Sequence, residues 1–282
     1  MYIQERFEYS EREFLAVKLY EGGRMTEKQD EFYCQKSAYR TLNLLMMAGS
    51  EGERVRVCIE GQKPNSLFLR RWKQTVEVLT DIFAVSCRYA IHRACQGIAL
   101  PFPLSRGERE VNFLLMKDVG STFAFTSVTE GEWKESFIKL KHNPHVLHIT
   151  LCERVPYLDF ADFLGDAYYY TNQKEILLPP MIQMECGSCV VQEHKKIGLV
   201  CHYDIKLTGF CTEIVFMDEG ELIECLESCV EEAVGGVVDL VRNGLDAKIF
   251  RDKEHLYWKW KSAFRQLTIQ RMNRIYKEYY IQ

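Results

Sequence analysis

Hydrophobic positions divide the chain into three stretches of different period. From the N-terminus to about position 85 they recur at helical intervals. Cys34, Ala38, Leu42 and Leu45 are spaced by 4, 4 and 3, and Leu69, Trp72, Val76, Leu79 and Phe83 by 3, 4, 3 and 4. Each set falls on one face of a helix. Pro64-Asn65-Ser66 precedes the second set as a start signal. The polar stretch between the helices leaves room for a short strand at residues 55–59.

From about residue 86 to 210 the pattern changes to short apolar runs bounded by turn residues. CRYAIHRA, VNFLLMK, FAFTSV, HVLHITLC, EILLPPMIQMEC, CVVQEH and IGLVCHYDIKL read as strands. One amphipathic segment interrupts them: Trp133, Phe137 and Leu140, spaced by 4 and 3, predict a helix. Beyond position 217 helical spacing returns. Helices followed by a run of strands indicate an α+β fold rather than alternating α/β.

Charge sharpens the picture only at the C-terminus. Residues 218–232 carry seven acids and no base, whereas residues 248–277 carry nine bases and two acids, with Tyr257, Trp258, Trp260, Phe264 and Tyr276 interleaved. Two packed terminal helices explain this pattern best; a basic, aromatic face for an acidic partner is the sharper alternative. The net charge of −4 gives no general nucleic-acid footprint. No apolar run approaches the roughly 20 residues that span a bilayer, so no membrane association is expected. The charged N-terminus, MYIQERFEYSEREFLAVKLY, does not resemble a signal peptide. A cytoplasmic location is expected, or delivery into a target cell without a cleaved signal.

The 11 cysteines fit reduced thiols. Cys186 and Cys189, followed by His194, Cys201 and His202, are metal-ligand types. However, Cys201 and His202 are adjacent, and strand neighbours point to opposite faces. Packing is the stronger reading, and no metal is expected.

Walker, G-x-G-x-x-G, H-E-x-x-H and G-x-S-x-G motifs are all missing. Three segments carry chemistry together. Ile91-His92-Arg93-Ala94 places an arginine at the end of an apolar run. Phe125-Thr126-Ser127-Val128-Thr129 is a hydroxyl-rich strand. Gln173-Lys174-Glu175-Ile176-Leu177-Leu178-Pro179 puts a polar pair at the start of a very apolar strand. Period 2 turns Gln173 and Glu175 to one face and Lys174 to the other.

In this order the segments resemble the ADP-ribosyltransferase family, in the branch built on an arginine, a Ser-Thr-Ser strand and a glutamate. That branch has an aromatic-Arg-Gly/Ala element ending the first core strand, matched here by His92-Arg93-Ala94. It has aromatic-x-Ser-Thr-Ser, matched by residues 125–129, and Gln/Glu-x-Glu before a Leu-Leu-Pro run, matched by residues 173–179. The stretch SAYRTLNLLMMAG also resembles the family's Tyr-x-x-Ile-Asn-x-x-Leu helix. The resemblance covers roughly residues 30–210. His92 and Val128 depart from the pattern. A second register, with Phe125-Thr126-Ser127 as the Ser-Thr-Ser, stays open.

The resemblance implies an ADP-ribosyltransferase fold of two small packed sheets flanked by N-terminal helices. The catalytic domain would span residues 1–217, helical to 85 and sheet core from 86 to 217, with a helical extension over 218–282. It implies NAD as co-substrate. Glu175 would stabilise the positive charge that develops on the ribose, and Ser127 would aim it. Arg93 would hold the phosphates and Thr129 would support the nicotinamide side. Phe125, the motif's aromatic, completes the cofactor-binding set. Gln173 and Tyr170 would recognise the acceptor. Gln-x-Glu resembles both Rho-modifying bacterial exoenzymes, which act on an asparagine, and guanine-modifying toxins. Protein and nucleic-acid acceptors therefore both remain open, and an inhibitor or antitoxin partner is compatible with either. An NAD glycohydrolase, an inactive NAD-binding module and an accidental match are the competing readings.

Overall fold

The computed structural model describes residues 7–22, 38–47, 71–101, 103–108, 122, 124–131, 144–170, 173–212, 215, 217–234 and 254–281. The expected strands at 55–59 and 111–117, the helix at 133–140, and Cys34 lie outside these residues. The described elements are α1 (Glu11–Glu21), α2 (Ala38–Met46), α3 (Trp72–Cys95), β1 (Leu104–Glu108), β2 (Thr126–Glu130), β3 (His145–Leu151), β4 (Leu158–Asp159), α4 (Phe160–Leu164), β5 (Glu175–Leu178), β6 (Ile182–His194), β7 (Gly198–Phe210), α5 (Glu219–Val234) and α6 (Glu254–Tyr280). No helix among them is long and apolar enough to cross a membrane.

Two compact units emerge: residues 1–10, 83–212 and 279–282 form one, and residues 11–82 and 213–278 the other. This division differs from a boundary at 217, because the N-terminal helices group with the C-terminal ones.

The first unit is built on one seven-stranded sheet, ordered β4-β5-β2-β1-β3-β7-β6. Two separate small sheets are therefore not what the chain forms. The reason lies in β1, which pairs antiparallel with β2 on one side and over all five of its residues with β3 on the other. It joins what would otherwise be two halves. The β3–β7 pairing is parallel, and β6 and β7 form a long antiparallel pair.

The run EILLPPMIQMEC is split between β5 and β6. Pro179 and Pro180 offer no N–H to a ladder, and Met181 turns the chain at φ 64°. Thr122 staples this corner: its hydroxyl donates to the Pro179 carbonyl and accepts from the Ile182 N–H, both at 3.1 Å.

A second correction concerns CRYAIHRA, which is the last part of α3 and not a strand. Its local alternation is real, but Val76, Leu79, Phe83, Cys87 and Ala90 are all buried and continue the 3–4 spacing of the preceding turns. The helix stops where Gly97 adopts φ 67°. Gly97 N–H donates to the Ala94 carbonyl and Ile98 N–H to the Arg93 carbonyl. This is a glycine-terminated Schellman cap.

The second unit is helical. Its buried positions include Leu19, Leu42, Leu45, Val76, Leu79, Leu222, Leu226, Trp260, Phe264 and Leu267. Trp260, Phe264 and Tyr276 are thus core residues rather than an open aromatic face. Two of the C-terminal bases are also engaged within the unit: Arg265 Nε donates to the Met46 carbonyl at 2.9 Å, and Arg271 Nη2 donates to Glu219 at 2.7 Å. Helix α5 starts with a reciprocal capping box: Glu221 N–H donates to Asp218 Oδ1 at 2.9 Å, and Asp218 N–H donates to Glu221 Oε2 at 3.0 Å.

Candidate active site

Antiparallel register fixes which side chains can meet. Ser105 on β1 stands opposite Thr129 on β2, and Thr129 stands opposite Glu175 on β5. Facing residues share a sheet face, so the three form one polar row across three strands. Ser127 lies two residues from Thr129 and therefore on the same face. Its hydroxyl donates to Glu175 Oε1. Tyr168, 4% exposed, donates from its hydroxyl to Glu175 Oε2 at 3.4 Å. Both carboxylate oxygens are thus held, one from the sheet and one from the segment leading to β5.

The neighbouring residues follow the alternation. Lys174 Nζ lies 3.7 Å from Glu130, an exposed pair of the kind worth under about 1 kcal/mol. Gln173 N–H donates to the Tyr170 carbonyl at 2.9 Å, closing a turn just before β5. Tyr169 and Tyr170 meet edge to face, with ring centres 5.0 Å apart, and both are exposed. Phe125 is buried, and Thr129 is half-buried beside Glu175.

Ser127, Thr129 and Glu175 are therefore brought together, while Gln173, two residues before β5, is tied by its N–H to the Tyr170 carbonyl. Arg93 is not on the sheet. It sits in the last turn of α3, where Nη1 donates to Asp162 Oδ2 at 3.3 Å. Burial raises the Tyr157 pKa, and the positive charge of Arg93 opposes that rise. An arginine does lie on β1: Arg106 donates from Nη1 to the Ser127 carbonyl. The sequence singles out Arg93, expected at the end of a strand, and Arg106 passes unnoticed there. Tyr168 stands out in the sequence only as one of three tyrosines, any of which could anchor the loop.

The cysteine and histidine cluster resolves into strand positions. Cys186 and Cys189 are exposed on β6, and Cys201 lies on β7. His202 contacts His148 through Nδ1 at 3.0 Å and His194 through Nε2 at 3.1 Å. It uses opposite ring nitrogens, so the three rings do not converge on one point. Among the described residues no group of three or more His, Cys, Asp or Glu is arranged to hold a metal ion. Burial, aided by the two neighbouring histidines, pushes the His202 pKa below its ordinary value.

No family model matches the chain, and no curated protein matches it. Among solved structures it is similar to an ADP-ribosylating toxin, BECa, of a C. perfringens binary enterotoxin, crystallised with NADH. Identity is 11%, the TM-score is 0.33, and the match covers 78% of this chain and 61% of that one. The chain therefore spans less than two thirds of the length of that protein. At this level the likeness carries no functional argument.

Proposed function

We propose that this protein is a mono-ADP-ribosyltransferase that cleaves NAD at the nicotinamide–ribose bond and passes ADP-ribose to a macromolecular acceptor. The observation that carries the reading is the Ser127–Glu175 hydrogen bond between two adjacent strands, with Arg106 of the next strand on the Ser127 carbonyl. It unites the hydroxyl-rich strand and the Gln-x-Glu strand, two of the three elements on which the sequence resemblance rests. The third, Arg93, lies on α3, and Arg106 takes its place in this reading.

The chemistry follows from the residue types. The C–N bond from the ribose breaks, and its electron pair leaves with nicotinamide. The ribose carbon develops positive charge, as in glycoside hydrolysis. Glu175 supplies a fixed negative charge at that carbon, and such preorganised electrostatics is usually the largest catalytic term. Ser127 and Tyr168 hold the two carboxylate oxygens, so Glu175 need not reorient during the reaction. Arg106, half-buried on β1, follows Ser105 and so leaves the strand toward the other face. Its long side chain brings Nη1 to the Ser127 carbonyl, and its planar donor fork is of the kind that suits phosphate oxygens. Thr129, opposite Glu175, adds a hydroxyl on the nicotinamide side.

Gln173 cannot act as a base, but its carboxamide can donate to and accept from an amide or a base edge. With exposed Tyr170 it forms the acceptor-facing part of the site. An asparagine-type side chain and a nucleic-acid base both fit that chemistry.

The test is incubation with labelled NAD in a cell lysate, with nuclease and protease arms, beside Glu175→Gln. Label in a macromolecule that disappears in the variant is the expected result, and the sensitive arm identifies the acceptor class. Nicotinamide release without transfer would make the protein an NAD glycohydrolase. NAD binding without turnover would make it an inactive module, and no binding would overturn the reading.

A further inference from the structure

The first unit contains a second site that the proposed reaction does not use. A cavity of about 550 Å³ lies between the N-terminal segment, the last turns of α3 and the short helix α4, and neither Ser127 nor Glu175 lines it. Its walls are rings from all three segments: Phe7 and Tyr9, then Tyr89 and His92, then Phe163. Phe7 meets Tyr89 at 86°, His92 at 53° and Phe163 at 61°, while Tyr9 meets Phe163 at 48°. None of these pairs is parallel, so the rings splay around the space rather than stacking on one another.

Polar groups line much of the cavity: Arg93, Gln96, Asp162 and Asp166 join His92 and the tyrosine hydroxyls. Asp162 Oδ2 accepts from the Tyr89 hydroxyl at 2.6 Å and from Arg93 Nη1 at 3.3 Å. Arg93 Nε is buried and has no hydrogen-bond partner among the described residues. Nε is closed to a bound molecule as it is to water, but the Arg93 side chain is 27% exposed, so its remaining guanidinium N–H groups can donate to an acceptor in the cavity. Asp162 and Asp166 both line the cavity, and both are exposed. Against one arginine, two carboxylates disfavour a phosphate.

We infer that this cavity binds an uncharged, planar heteroaromatic molecule of nucleobase to nucleoside size. Its faces lie against the splayed rings, and a carbonyl or ring nitrogen on its edge accepts from Arg93. The ring-lined walls expose more polar than apolar surface, which suits a heteroaromatic molecule with hydrogen-bonding edges better than a hydrocarbon. The inference stands apart from the transferase reading, since it shares no residue with that site.

The experiment measures binding of adenosine, nicotinamide and AMP by calorimetry and saturation-transfer NMR. Arg93→Met keeps the bulk of the side chain and removes its donors. Asp166→Trp fills the rim from an exposed position, so it tests occupancy without disturbing the core. Circular dichroism checks the fold of both variants. The expected result is binding of adenosine or nicotinamide that weakens at least tenfold in both variants and persists in Arg106→Ala, with AMP at least tenfold weaker than adenosine. Asp166→Asn should narrow the gap between AMP and adenosine. Absence of binding by both uncharged probes at millimolar concentration would overturn the inference. So would binding unchanged in Arg93→Met, binding lost in Arg106→Ala, or AMP binding more tightly than adenosine. None of these outcomes depends on NAD turnover.

Discussion

Ser127 reaches Glu175 along a diagonal. Their registers do not face each other: Ser127 stands opposite Leu177, and Glu175 stands opposite Thr129. Diagonal neighbours in an antiparallel pair lie about 7–8 Å apart, within reach only of a long side chain. Glutamate spans that gap and an aspartate would not. The carboxylate is therefore tethered across the strand pair instead of standing upright over Thr129.

Removing the tether and removing the charge should have different kinetic signatures. Glu175→Gln keeps the shape and loses the charge, so nicotinamide release should fall by about 10²–10³-fold. NAD affinity should change little, because the interaction belongs to the transition state. Ser127→Ala should lower kcat by roughly tenfold with KM nearly constant, the pattern of a positioning residue. Tyr168→Phe should act in the same direction and more weakly, since its contact is longer. Single-turnover kinetics together with equilibrium NAD binding separates these effects. A Ser127→Ala defect that falls wholly on NAD affinity would contradict the tether.

Arg106 and Arg93 make opposite claims on the phosphates, and their substitution decides between them. Arg106→Ala should weaken NAD binding by about 10–100-fold, the range expected for losing hydrogen bonds to a charged group. Arg106→Lys should recover only part of this, because an ammonium cannot reproduce a two-bond fork. The loss at Arg106 should exceed that at Arg93 by at least tenfold. Isothermal titration with NAD gives the comparison directly.

The helical setting of Arg93 shows what local pattern can and cannot reveal. β7 is legible because its buried positions largely alternate, whereas β3 and β5 carry consecutive buried residues on both faces and read as short apolar runs. The Ser127–Glu175 pairing is legible because both residues sit in segments of marked composition. CRYAIHRA is not, since a short run containing tyrosine, isoleucine and arginine satisfies a strand and a helix about equally. Only the burial of Cys87 and Ala90 in continuity with Phe83 decides for the helix, and burial is a tertiary fact. Arg106 is hidden for a related reason: Leu104-Ser105-Arg106-Gly107 is a short segment just after two prolines, and its importance comes from pairing with β2 and β3 at once. The grouping of N-terminal with C-terminal helices rests on contacts between distant parts of the chain, such as Arg265 with Met46, which no sequence window contains.

Substitution of Gln173 should separate bond cleavage from transfer. The residue lies outside the Ser127–Glu175 contact, in the turn closed by its N–H on the Tyr170 carbonyl. Gln173→Ala should therefore leave nicotinamide release within about threefold of wild type and reduce label transfer by at least tenfold, the range seen when a single orienting group is lost. Tyr170→Ala should do likewise, as its exposed ring offers a packing or stacking surface. Parallel assays of nicotinamide and labelled acceptor test this. Equal loss in both assays would assign Gln173 to cleavage instead.

Stability in acid should depend on Glu219. This residue opens α5, where a negative charge is favoured by the helix N-terminus, and it accepts from Arg271 at 2.7 Å and from Arg274 at 2.7 Å. Hydrogen bonding from Arg274, then from Arg271, together with the charge of both arginines, outweighs partial burial and lowers its pKa below the ordinary glutamate value of 4.5. A group with a depressed folded pKa binds its proton more readily in the unfolded chain. Its stabilisation is complete above about pH 4.5 and is lost as pH falls through the lower, folded value. The expected outcome is a Tm that drops below pH 4.5 in the wild type and drops less steeply in Glu219→Gln, with Glu219→Gln already less stable at pH 7. Asp218→Ala gives the contrast. It removes the capping box at a cost of about 1 kcal/mol and leaves the Glu219–arginine contacts in place, so it should lower the Tm at pH 7 while keeping most of the wild-type decline below pH 4.5. Thermal melts of the three proteins between pH 3 and pH 7 distinguish the arginine-held carboxylate from the cap, and parallel curves for the wild type and Glu219→Gln would remove Glu219 from the account of acid sensitivity.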